Sequence, residues 1–241
     1  MKRFLFLILL LIGCGGKSIR PMGTAEIEFS RGEAYFEKGD FKHAVQSFEF
    51  LIFNFPGSNL VDDAQLYIAK SQLAMKHYEQ ASLEAQFLIE NFPRSELVEE
   101  AYIIRVRALF AALPPYRRDQ SRTMETIKIL EQFIENYPSS KFLDEAREIL
   151  YKCRSRISQK LLKNGRFYKR RGDLDASVIY FNMILNRYPE TVAAREAMYC
   201  LAEILEHKLR IEEARRHYSV LADSTDEWGM KAKKRLEEIG K

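Results

Sequence analysis

The chain has 241 residues, of which 38 are basic and 34 acidic, for a formal net charge of +4. That near balance argues against a generally nucleic-acid-binding surface. Glycine and proline are scarce, at 11 and 7, while helix-forming residues abound, so an all-helical protein is expected.

At the amino terminus Lys2 and Arg3 precede nine apolar residues, Phe4 to Ile12, which stop at Gly13 and Cys14. A membrane-spanning helix needs about 20 apolar residues, so this run is too short to cross a bilayer. It fits the apolar centre of a secretory signal, with a basic start and a small residue at the cut. Leu11-Ile12-Gly13-Cys14 resembles the bacterial lipobox. The resemblance implies cleavage before Cys14, lipid on its thiol and acylation of the new amino terminus, palmitate included. Each buried acyl methylene contributes about 0.8 kcal/mol, and more than one chain gives stable anchoring. Gly15 rather than Asp follows the cysteine, which implies the outer membrane, facing the periplasm. The expected organisation is a signal peptide at 1–13, a lipidated tether at 14–23 and a helical domain at 24–241. Cleavage leaves 228 residues with a charge near +2, enough for one or two compact domains or one extended array.

Within the domain one phrase recurs four times: "FNFPGS" at 53–58, "ENFPRS" at 90–95, "ENYPSS" at 135–140 and "NRYPET" at 186–191. The residue before a proline is pushed away from the α region, so each phrase ends a helix, with the ring packed under the turn and proline opening the next. Eight residues after each proline stands an alanine: Ala64, Ala101, Ala146 and Ala197. Twelve before each stands a small residue: Ala44, Ala81, Thr126 and Ser177. Gly32-x-x-Tyr35, Ala44-x-x-x-Phe48 and Pro56 match the tetratricopeptide pattern of paired helices, and Gly165-x-x-Tyr168, Ser177-x-x-x-Phe181 and Pro189 nearly do. Ala202, Ala214 and Tyr218 mark a fifth unit without its proline. The fold expected is therefore an all-α tetratricopeptide-repeat solenoid of five helical pairs. Its repeats lie near 25–57, 58–94, 95–139, 140–190 and 191–228, with a closing helix at 229–241.

Successive prolines are 37, 45 and 51 residues apart. The second interval points to a polar loop, "PPYRRDQS" at 114–121, between the helices of repeat three. The third carries fourteen extra residues and no glycine or proline from 139 to 164, close to four helical turns. One lengthened helix is expected in the fourth unit, from about Leu143 to Arg171, projecting beyond the solenoid.

No catalytic constellation stands out, and an enzyme is not expected; neither is a cofactor. His43, His77, His207 and His217 are scattered, without metal-ligand spacing, so no metal site is expected. The doublets Asp62-Asp63 and Glu99-Glu100 follow prolines and suit the positive end of a helix dipole. Cys153 and Cys200 could pair in an oxidising periplasm, but each falls in an apolar helical pattern, which favours two separate buried thiols. Two surfaces qualify as binding sites. Between Ile149 and Gly172 nine basic residues occur without an acid, among them Arg154, Arg156, Lys160, Lys163, Arg166 and Arg170. Such a run leaves cations for the carboxylates of a partner. On the repeat alignment Phe29, Phe36, Leu66, Lys70 and Leu73 should face the concave groove, where solenoids hold extended peptides. Aromatic pockets beside one cation would suit a peptide ending in an aromatic residue and a carboxylate.

The lipobox, the five repeats and the lengthened fourth unit together resemble the BamD family of outer-membrane β-barrel assembly lipoproteins. "RRDQSRTMETIKILEQFIENYP" at 117–138 is similar to that family's inserted loop and the helix after it, and "FYKRRGDLDASVIYFNMILNRYP" at 167–189 to its fourth repeat. The resemblance covers about residues 24–228. It implies a scaffold that helps insert β-barrel proteins into the outer membrane. The implied partners are the periplasmic domains of a BamA-like barrel protein, held by the C-terminal repeats, other assembly lipoproteins, and unfolded outer-membrane protein segments received by the N-terminal repeats. Tyr180 stands where relatives tend to carry a basic residue. The alternative is a periplasmic repeat adaptor lipoprotein of pilus or cell-envelope assembly; pilus lipoproteins keep more regular periods, without the fourteen-residue extension.

Overall fold

The computed structural model describes residues 23–240. The signal sequence, Cys14 and the tether through residue 22 lie outside the described residues.

Eleven helices and no strand occupy the described residues. They form five antiparallel pairs: α1 (Ala25–Glu37) with α2 (Phe41–Asn54), α3 (Val61–Ala74) with α4 (Tyr78–Asn91), α5 (Val98–Ala111) with α6 (Ser121–Asn136), α7 (Leu143–Arg170) with α8 (Leu174–Arg187), and α9 (Val192–His207) with α10 (Ile211–Ala222). The last helix, α11 (Glu227–Ile239), closes the stack against α9 and α10. Each helix packs chiefly on its chain neighbours, the arrangement of a tetratricopeptide solenoid.

The recurring phrases end helices in one way. Phe55, Phe92, Tyr137 and Tyr188 have φ between −125° and −137°, and each donates its backbone N–H to the carbonyl four residues back. Proline does not open the next helix directly. After the first three prolines a short turn follows, in which the Oγ of Ser58, Ser95 or Ser140 accepts a hydrogen bond from the N–H two residues on. The next helix then begins at Val61, Val98 or Leu143, with Asp62-Asp63 and Glu99-Glu100 in first turns.

The small residues have a direct steric cause. A Cβ added at Gly32 would lie 2.5 Å from Cε1 of Phe48, and one at Gly165 would lie 2.5 Å from Cε1 of Phe181. Both rings are fully buried, and burying such a side chain contributes about 1.5–3 kcal/mol. Ser177 seals the second approach by donating its Oγ–H to the carbonyl of Gly165 at 2.9 Å. Gly39 and Gly172 take positive φ, 75° and 80°, in the tight turns between paired helices.

The fourth unit departs from expectation in one respect. Its helix is long, 28 residues, but it does not project. Ala146, Ile149, Cys153 and Ile157 enter the core formed with α5 and α6, while Leu162 and Gly165 face α8 and α9. Leu161 touches both cores. An apolar face sustained over the whole length keeps the helix inside the stack. The inserted loop, residues 113–120, lies between α5 and α6. Cys153 and Cys200 are separate buried thiols.

Candidate interaction surfaces

The basic stretch of α7 is largely engaged within the molecule. Arg154 donates from Nε to Glu190 Oε1 at 2.5 Å and from Nη2 to the carbonyl of Arg187 at 2.6 Å, with Glu131 at 3.4 Å and the Tyr188 ring 5.4 Å away. The hydrogen bond to Glu190 raises the guanidinium's pKa above its ordinary value. Lys152 pairs with Glu148, Arg166 with Glu196, and Lys169 with Glu203. Arg156 and Lys160 grip the inserted loop, donating to the carbonyls of Pro114 and Arg118. Arg171 lies 5.4 Å over the Phe167 ring. Lys163 and Arg170 are exposed, and among the described residues neither forms an ion pair. Arg156, Lys160 and Arg171 thus keep contacts other than carboxylates, and of the stripe of cations expected from the sequence only Lys163 and Arg170 are left without any of these contacts. Apart from Glu148 on α7 itself, the neutralising acids sit on α6, on α9 and in the turn after α8, where a scan along one helix cannot see them.

The N-terminal cluster also changes. Phe29, Phe36 and Lys70 do converge, and they do so on Tyr67, which sequence reasoning missed. The Phe29 and Phe36 ring centroids lie 5.7 and 5.1 Å from that of Tyr67, Phe48 stacks on it at 5.1 Å, and Lys70 Nζ is 5.1 Å over it. The Tyr67 hydroxyl donates to Glu33 at 3.2 Å; burial, aided by that hydrogen bond, pushes its pKa up. Lys70 is already paired with Glu100 at 2.7 Å. Leu66 is a correction: at 2% exposure it belongs to the core between α3, α4 and α5 and lines no groove. Leu73 is half-buried against that same core. The signal that could have found Tyr67 is its place three residues before Lys70, which puts both on one face of α3.

Tyr180 stacks on Tyr168 at 5.5 Å with the rings 11° from parallel. That contact joins α7 to α8 through a pair of aromatic rings. His43 contributes to a turn through Asp40, 2.7 Å from its Nδ1, and His77 through Gln72 at 3.0 Å. No helix among the described residues is long and apolar enough to cross a membrane.

Sequence relatives align along most of the chain. The chain is 24% identical over 226 residues to the outer membrane protein assembly factor BamD of Rickettsia prowazekii, covering 92% of this chain and 89% of that protein. It is 23% identical to the Caulobacter vibrioides factor of the same name, covering 95% of this chain and 77% of the other. Against that of Pasteurella multocida it is 24% identical, with 86% and 84% covered. The family described as YfiO, outer membrane lipoprotein, matches residues 23–221, from the start of α1 almost to the end of α10. The chain belongs to the YfiO family of outer membrane lipoproteins.

Proposed function

We propose that this protein is an outer-membrane protein assembly factor, a lipid-anchored scaffold rather than an enzyme. The observation that carries the reading is coverage: the relatives named as assembly factors align along nine-tenths of the chain or nearly so, and the family match takes in all five helical pairs. Cys14 supplies the anchor, which holds the solenoid at the periplasmic face of the outer membrane. The C-terminal repeats bind the periplasmic domains of a BamA-like barrel protein, and the aromatic cluster around Tyr67 receives unfolded outer-membrane protein segments.

The surface chemistry supports this reading with altered contacts. Arg154, Arg156 and Lys160 brace α7 against α8 and the loop, so partner carboxylates would meet Lys163 and Arg170 instead. The test is a pull-down of the tagged, lipidated protein from gently solubilised outer membranes, with partners identified by mass. A stoichiometric barrel protein with periplasmic repeat domains is expected, and Lys163→Glu with Arg170→Glu should reduce its recovery several-fold without altering the circular dichroism spectrum. Pilus secretins or cell-wall synthases in its place would overturn the reading.

A further inference from the structure

The four prolines give a register in which the helices can be compared. Twelve residues after each stand Ile68, Arg105, Leu150 and Leu201. Ile68 and Leu201 are buried and Leu150 packs against the core of repeat three. Arg105 is the exception, a guanidinium on α5 at a position the sister repeats fill with an aliphatic side chain. It is half-buried, and its Nε is occluded from solvent with no hydrogen-bond partner. Nearby cations differ: Arg107 holds Glu145 at 2.6 Å and Arg122 holds Glu79 at 3.2 Å. Arg105 forms no such ion pair among the described residues.

Arg105 opens into a cleft of about 420 Å³ between α4 and α6, with α5 beneath. The floor is small and apolar, Ala108 and Ala112 beside Leu109, while Tyr78 and Leu83 form one wall. Leu83 is 60% exposed there, with no apolar partner covering it. The other wall is α6, which packs on α5 less extensively than the second helix of any other pair packs on its first. The longer connection through residues 113–120 accompanies that separation. Glu125 lines the rim but makes no ion pair with Arg105, and Glu79 is taken by Arg122.

A buried polar group ordinarily finds a partner, and a guanidinium seeks an oxygen acceptor in its own plane. We propose that this cleft docks an acidic, aliphatic segment of a partner protein. One Asp or Glu side chain pairs with Arg105, and a neighbouring leucine-like side chain rests on Leu109, Leu83 and Tyr78. Charge complementarity selects this occupant, since a purely apolar one would leave the guanidinium unpaired. The inference stands independently of the assembly reading above, because it rests on this cleft alone.

The experiment titrates the full lipidated chain in detergent micelles with acetyl-Ala-Leu-Glu-Leu-Ala-amide and with its Gln counterpart. Binding is followed through the backbone amide resonances of Ser82, Leu109 and Thr126. The Glu peptide should shift all three and bind about ten- to a hundredfold more tightly than the Gln peptide, as expected for a hydrogen bond to a charged group. Arg105→Leu, which restores the side chain of the sister repeats, should abolish that preference while keeping the thermal midpoint. Arg105→Gln gives a second reading with a polar side chain. Equal affinity for the two peptides, a Glu preference that survives in either variant, or no shift at the cleft amides would overturn the proposal. So would shifts that follow protein concentration without peptide, which would make a second copy of the chain the occupant.

Discussion

Among the described residues, two take left-handed backbone without being glycine: Lys76 at φ 63° and Leu209 at φ 60°. They occupy the turns of repeats two and five that Gly39 and Gly172 occupy in repeats one and four. An L side chain there costs about 1–2 kcal/mol, while glycine loses about 0.5–1 kcal/mol of chain entropy. Leu209 is 85% exposed, so little packing is lost with its side chain. Leu209→Gly is therefore expected to stabilise the fold by about 0.5–1 kcal/mol, read as a higher urea midpoint with an unchanged slope. The buried cysteines make a second case at this scale. Burial pushes the Cys153 thiol up to about 12 and the Cys200 thiol to about 11. A raised thiol pKa keeps the reactive thiolate scarce below that value, so at pH 8 both stay protonated. Alkylation by iodoacetamide should proceed no faster than the protein opens, and should become rapid only in denaturant.

Between elements, the close approach of α7 and α8 at Gly165 sets the spacing of repeat four. Gly165→Ala gains about 1 kcal/mol of helix propensity but drives a methyl into a fully buried ring, and overpacking costs about 1–3 kcal/mol. With Phe181 enclosed, the steric cost should prevail by up to about 2 kcal/mol, lowering the thermal midpoint by up to several degrees. This contact was legible in the sequence because it recurs at fixed offsets, as were the helix ends, the inserted loop and the length of α7. The direction of α7 was not. Periodicity reports that a helix has an apolar face, not what lies against it, and the face of α7 meets α5 and α6 first and α8 and α9 later. The acids that pair with Arg154, Arg166 and Lys169 lie from 23 to 36 residues away in sequence, beyond any local charge pattern. Leu66 was misplaced because the register does not say which side of α3 meets α5. Arg105 escaped notice as one arginine among many until its sister positions were seen to be aliphatic.

Across the whole molecule, the two surfaces proposed for partners lie in different halves, one centred on Tyr67 and the other on the exposed end of α7. A protein that receives one partner at each end gains from a body that keeps them in fixed relation. Stacked repeats are ordinarily loose in this respect, since each is held only by its neighbours and stability is close to a sum of repeat and interface terms. The 28 residues of α7 make a rod about 42 Å long that belongs to the cores of repeats three and four together. Such a rod acts as a splice across the joint. Bending or fraying at that junction would require breaking a continuous helix, so elastic give is displaced to the junctions on either side of it. Repeats three and four would then unfold as one cooperative block, while the N-terminal repeats retain freedom to flex.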